Sequence, residues 1–297
     1  MSSMKTTTLG VSLLLLAIAA AYAADLAQSN EDTPPRPDSA YIARASDSSW
    51  WRRTIDNSAF NVGEYLEFSV NYGILPAGTA IMQVPETFDY NGHGVFKVVS
   101  TAHSNGFIST FYEVRDTVYS YIDQDGIFSH YFRKRLKEGG YRVDRETFFD
   151  QRRHLAATGK DTIPTYSFVQ DALSSLYYVR TQDIQPGRDI YIDNHTDKKN
   201  YPLKITVYGR ERVQVPAGEF DCILVEPAMR AEGIFKAKGR IKIWLTDDRY
   251  KMPVKMQTEV FFLGSITAKL REFRYGQFPE DSVKVAKDGG DEPNRSE

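Results

Sequence analysis

Residues 240–275 read RIKIWLTDDRYKMPVKMQTEVFFLGSITAKLREFRY. Ile241, Ile243 and Leu245 recur at every second position, and Thr246-Asp247-Asp248-Arg249 then turns the chain. Val254 and Met256 resume the pattern, followed by Val260 and Phe262. Gly264-Ser265 reads as a second turn, after which Ile266, Ala268 and Leu270 alternate again. Side chains switch sides at each residue of a strand, so a period of two with one apolar face predicts half-buried antiparallel strands.

Working outward, Ile205/Val207 and Val213/Val215 repeat the pattern around a turn read at Gly209-Arg210. Gly139-Gly140 reads as a two-residue hairpin turn, because both central positions tolerate positive φ. That register sets Leu136 opposite Val143 and Phe132 opposite Thr147, and on the other face Arg135 opposite Asp144 and Arg133 opposite Glu146. Opposed charges contribute roughly 0.2–1 kcal/mol per pair, so the basic cluster Arg133-Lys134-Arg135-Lys137 reads as a solvated sheet face neutralised by its own hairpin. One helix interrupts the strands: Ser167-Phe168-Val169-Gln170 fits a capping box, and Val169, Ala172, Leu173 and Leu176 follow helical spacing. Arg180 falls on the same stripe. It is expected to cap the helix C-terminus and reach into water; pointing into a core, it would need a carboxylate or a bound anion. Leu75-Pro76-Ala77-Gly78 is echoed by Val215-Pro216-Ala217-Gly218, each between strand-like runs, which is a faint sign of duplication.

The first residues have the three parts of a secretory signal: Lys5, an apolar run from Leu9 to Ala21, and the small-x-small triplet Ala21-Tyr22-Ala23. The run is short of the roughly 20 residues of a bilayer-spanning helix, so cleavage near Ala23 and a soluble periplasmic product are expected. No cysteine stands near that point, so lipoprotein anchoring is not expected. Residues 24–58 read as a polar arm with Pro34, Pro35 and Pro37, which Trp50 and Trp51 could pin to the domain. Residues 59–278 read as one β-rich domain, and the charged, glycine-containing 279–297 as a disordered tail. The lone Cys222 excludes an intramolecular disulfide and, in an apolar run, reads as a small buried hydrophobe. A net charge of −2 implies no nucleic-acid partner.

No motif carries a known chemistry. There is no G-x-S-x-G elbow and no S-x-x-K set, and His93, His103, His130, His154 and His195 show no H-E-x-x-H or H-x-H spacing. Asp193-Asn194-His195-Thr196-Asp197 offers alternate ligands but reads as a polar loop tip. Asp123-Gln124-Asp125-Gly126 opens like a calcium loop without its later acid, and reads as a hairpin turn at Asp125-Gly126. Asp247 and Asp248, adjacent on a strand, would face opposite sides. No cofactor, metal or catalytic set is expected.

Four stretches carry a family resemblance: Phe60–Glu64 with Ala77-Gly78, Asp171–Arg180, Val213–Cys222, and Ile243–Asp248 with Pro253-Val254 and Gly264-Ser265. In this order they resemble the bacterial domain of unknown function 3108. The resemblance implies an exported envelope protein of Gram-negative bacteria and brings no catalytic residues with it. The strand pattern is also similar to that of periplasmic lipoprotein carriers, at the level of fold only.

The expected fold is therefore mainly β: an antiparallel curved sheet or incomplete barrel with one or two short helices. The leading functional expectation is non-catalytic binding of a lipid-like or other apolar envelope ligand. A glycan-binding or assembly role on exposed rings and the Arg133–Arg153 basic face is the second, and a hydrolase of unrecognised type the third. Ligand contacts are expected at Arg180, Tyr177, Trp244, Arg135 and Tyr121, with Tyr119 beside them in the glycan reading.

Overall fold

A computed structural model of the chain describes residues 53–228, 241–260 and 264–278. They build one 14-stranded antiparallel sheet. Its first half comprises β1 (Tyr65–Tyr72), β2 (Leu75–Tyr90), β3 (His93–Ser104), β4 (Arg115–Asp123), β5 (Ser129–Glu138), β6 (Tyr141–Asp150), β7 (Leu155–Thr158) and β8 (Asp161–Pro164). Its second half comprises β9 (Ile190–Thr196), β10 (Lys199–Val215), β11 (Gly218–Ala228), β12 (Ile241–Thr246), β13 (Pro253–Val260) and β14 (Gly264–Arg274). The described residues also form two helices, α1 (Gly106–Ser109) and α2 (Ala172–Arg180).

Within each half every strand pairs with its neighbour in sequence. The halves are joined by β1 against β14, from Tyr65 opposite Arg274 to Tyr72 opposite Ile266. That leaves β8 and β9 as the two edges, and the connection between them carries α2. Gln170 makes a parallel bridge to Asn194 of β9, while the Ser129 amide donates to Val169. The connection thus ties the edge strand β9 to the start of β5 in a nearly closed, barrel-like sheet.

α2 lies against the inner face, on the side of β4 that carries Val118, Ser120 and Ile122. All of its residues but Tyr178 are buried. The cap is Asp171, not Ser167: one Asp171 oxygen accepts from the Leu173 and Ser174 amides at 2.7 and 2.8 Å, and the Ser174 hydroxyl accepts from the Asp171 amide. Residues 167–170 stay outside the helix because Phe168 sits at φ 56° and Gln170 is spent on β9. The other Asp171 oxygen accepts from Ser120 and Ser129, tying the helix start to β4 and β5.

The C-terminus of α2 points inward, which overturns the expectation that Arg180 reaches water. Its guanidinium donates to both Glu64 oxygens (2.8 and 2.5 Å), to the Ala59 carbonyl and to the Tyr250 carbonyl. Burial alone would lower its pKa, but Glu64 more than compensates and raises it. Phe60 packs edge-on to Tyr177 beneath the ion pair, with ring centroids 4.7 Å apart.

The Gly139-Gly140 hairpin has the register read from sequence, Leu136 opposite Val143 and Arg135 opposite Asp144. Arg133 reaches diagonally, however, to Asp144 at 2.9 Å, and Tyr131 takes Glu146. Gly209-Arg210 is no turn: one extra residue between Val207 and Arg210 bulges a continuous β10, the strand bending without ending. Gly264-Ser265 opens β14, since Val260 already pairs with Gly264. Asp193–Thr196 belongs to β9, with Asn194, His195 and Thr196 buried, so it is no loop tip. Cys222 is buried, and burial pushes its thiol up to about 12. Of the expected arm, Arg53 is fastened by its side chain to the Gly126 and Ile127 carbonyls. The signal segment, Trp50, Trp51, Phe262 and the tail lie outside the described residues. Among those described, no helix is long and apolar enough to cross a membrane.

Candidate functional site

At one end of the sheet the β2–β3, β4–β5 and β6–β7 turns come together. Asn91 and Gly92, at φ 56° and 83°, form the two-residue turn that sets His93 opposite Tyr90. β4 ends on Asp123, whose Oδ1 accepts from the Gly126 and Asp125 amides at 2.7 and 3.1 Å. This loop runs from Gln124 to Phe128 with Ile127 at φ 49°, longer than the two-residue turn expected at Asp125-Gly126. β5 then begins with a bulge: Tyr121 faces Tyr131 and Ile122 faces Ser129, leaving His130 as the extra residue. Ser129 and Phe132 stay on the inner side, so His130 and Tyr131 both lie on the outer face.

Three titratable groups meet there. His130 Nε2 lies 2.9 Å from Asp123 Oδ2, and His93 Nδ1 lies 3.7 Å from the same oxygen. The imidazole centroids are 4.5 Å apart. Burial alone would raise Asp123, but hydrogen bonds from His130 and the turn amides outweigh it and hold the carboxyl below its ordinary pKa. Burial and then His130 lower the pKa of His93.

Beside this cluster opens a pocket of about 480 Å³, lined by Tyr90, Asn91, His93, Phe128, His130, Phe148, Asp150, Gln151, Arg152 and Thr162, among others. Aromatic rings continue from it along the outer face. Tyr121 stacks on Tyr131 at 4.6 Å, Phe88 and Tyr90 meet Tyr121 edge-on at 4.9 and 5.3 Å, and Phe148 follows Tyr131 at 5.2 Å. Rings in such contact hold one another rigid at little entropic cost.

A second charged cluster is closed in. Lys134 is buried against Asp197, which also takes Arg145 at 2.7 Å. Asp116, fully buried, lies against Glu138; burial first, and then Glu138, push its carboxyl up to about 8. These charges face the interior.

The five residues expected to touch a ligand are spread over the molecule. Tyr121 belongs to the outer row of rings, and Arg135 is exposed on the same face, 3.7 Å from Asp144. Arg180 and Tyr177 are fully buried on the inner side. Trp244 turns away from Ile243 and Leu245, donates its indole N–H to Glu211, and has Lys255 4.1 Å over its ring. Asp247 pairs with Arg210, while Asp248 holds the turn through the Tyr250 and Lys251 amides. His93, Asp123 and His130 escaped motif search because 30 and 7 residues separate them in sequence and a bulge supplies the last approach. The Asn91-Gly92 turn and the loop-like Asp123–Gly126 run were the available signals, and neither pointed to the two histidines.

Comparison with solved structures finds barrel-like proteins at very low identity. A β-barrel-like protein of domain of unknown function DUF1849 from Brucella abortus matches at TM-score 0.49 and 10% identity, over 74% of this chain and 100% of that one. A protein described as exported, with a YmcC-like fold, from Bacteroides fragilis matches at TM-score 0.30 and 13% identity, over 74% and 99%. A DUF1089 family protein from Pseudomonas aeruginosa matches at TM-score 0.31 and 8% identity, over 68% and 94%. At these values the likenesses say nothing of function. No curated protein matches the chain. The family model described as "Protein of unknown function (DUF3108)" matches residues 67–271, most of the sheet, and the chain belongs to that family.

Proposed function

We propose that this is an exported, periplasmic binding protein without catalytic activity, and that it holds a saccharide chain of the cell envelope on its outer face. The observation that carries the reading is the row of rings Phe88, Tyr90, Tyr121, Tyr131 and Phe148 running into a pocket whose mainly apolar wall, with Phe128, Phe149, Leu155 and Ala157, is interspersed with polar groups. Sugar rings offer apolar C–H faces that stack on tyrosine and phenylalanine, and hydroxyls that need donors and acceptors. Asn91, Asp150, Arg152 and Thr162 supply these at the pocket. Arg135 and Tyr119 extend the same face. In this reading Arg180, Tyr177 and Trp244 have structural parts: Arg180 and Trp244 are paired with Glu64 and Glu211, and the Tyr177 ring packs against Phe60 and the Arg180 guanidinium.

The lipid-binding alternative would place an acyl chain on the concave side, where α2 and the core cluster around it are packed. Export is supported by the leader-like first residues.

The test is retention of the purified mature protein on peptidoglycan sacculi and envelope polysaccharide. Retention is expected for the wild type and for Trp244→Ala, and is expected to fall in the double variant Tyr90→Ala/Tyr121→Ala. Each ring contributes about 0.5–1.5 kcal/mol. Equal retention of the double variant, or a stoichiometric lipid in organic extracts of gently purified protein, contradicts the reading.

A further inference from the structure

We propose that His93, Asp123 and His130 form a binding site for one divalent transition-metal ion of the zinc type, with an open coordination position facing the pocket. The inference stands apart from the saccharide reading, because a metal can be held here whatever occupies the rings.

One donor atom from each of the three side chains lies within 4.8 Å of the others. Donors around a tetrahedral zinc ion, with bonds of about 2.0–2.1 Å, stand roughly 3.3–3.4 Å apart. The two spacings to Asp123 Oδ2, 2.9 and 3.7 Å, bracket that value. Bringing the two imidazole nitrogens from within 4.8 Å of each other to that spacing takes a movement of up to about 1.4 Å, which the partly exposed His93 side chain can make. Asp123 is already aimed, since its Oδ1 is held by the Gly126 and Asp125 amides and only Oδ2 faces the imidazoles. A hydrogen bond clasping two turns would account for His130, but it does not require His93 to converge on the same oxygen.

The donor set selects the ion. Two imidazoles and one carboxylate suit zinc and its first-row neighbours, whereas calcium and magnesium demand mostly oxygen. Three protein ligands leave a position open, as in metal sites that bind exogenous ligands. Here the opening has a direction, because His93 and His130 both line the pocket of about 480 Å³. The His93 side chain, 34% exposed, gives the ion a way in.

The test uses the mature protein, produced without a polyhistidine tag and stripped with EDTA. Calorimetric titration with Zn²⁺ is expected to show one ion per chain at micromolar affinity or tighter, and Co²⁺ is expected to give the visible absorption of a low-coordinate site. His93→Gln and Asp123→Asn should each weaken Zn²⁺ binding at least tenfold, while His103→Gln leaves it unchanged. Circular dichroism checks folding. His93 is partly exposed, so His93→Gln keeps the test decisive even where a change at buried His130 disturbs the fold. Absence of stoichiometric binding by the wild type, or unchanged affinity in His93→Gln, overturns the proposal. Saccharide retention is measured separately, so failure of one reading does not imitate failure of the other.

Discussion

Arg180 shows what a single side chain can conceal in a sequence. Its place on the apolar stripe of α2 was visible, but the choice between water and a buried carboxylate depended on Glu64, 116 residues away. Removing one partner of a buried ion pair leaves an uncompensated charge, at a cost of about 3–5 kcal/mol. Arg180→Met is therefore expected to lower unfolding free energy by about that much in urea titrations. Arg180→Met/Glu64→Gln should cost clearly less than the sum of its single changes, because the two sites share one interaction. Asp116 makes a prediction in pH. Burial pushes its carboxyl from the ordinary 3.8 up to about 8, so the native state binds the proton more tightly. The contribution is fully present below the unfolded pKa and is lost as pH rises toward and through about 8. Melting temperatures measured from pH 4 to 9 should fall across that window in the wild type, and Asp116→Asn should flatten the decline. A rise over the same window in the wild type, steeper than in the variant, would speak against the raised Asp116 carboxyl.

At the scale of elements, local patterns were legible where turn chemistry and alternation agreed. Gly139-Gly140 set the β5–β6 register pair by pair, and Asp248 closed the turn read at Thr246–Arg249. Legibility ended where a strand departs from regular pairing. The bulge at Gly209 looks like a turn in sequence because glycine serves both, and only the continued pairing of β10 with β11 separates them. The bulge at His130 left no local mark, so the site it builds was not readable. The helix start offers a direct comparison between Ser167, the cap read from sequence, and Asp171, the cap in the structure. Asp171→Ala removes the cap and leaves two buried serines unpaired, with an expected loss of about 2–3 kcal/mol. Ser167→Ala should stay within about 0.5 kcal/mol. Chemical denaturation of the two variants distinguishes them, and equal effects would refute the Asp171 assignment.

At the scale of the whole molecule, alternation along the chain predicted a curved antiparallel sheet, and the meander follows from short connections between successive strands. The junction of β1 with β14, which unites the halves, lay beyond local pattern because its partners stand about 200 residues apart. It also places those strands mid-sheet, with β8 and β9 at the edges. Amide hydrogen exchange should accordingly be slowest in β1 and β14 and fastest in β8, whose four residues are paired on one side only. The site belongs to this scale too, since three turns from one end of the sheet compose it while the inner face is given to α2. The most direct measurement of the central claim is an NMR titration of the isotope-labelled mature protein with soluble peptidoglycan fragments and envelope oligosaccharides. The account predicts saturable shifts at Tyr90, Tyr121, Tyr131, Phe148 and the adjoining turns, with the residues around α2 unmoved. Shifts concentrated around α2, or none anywhere with a folded spectrum, would contradict it.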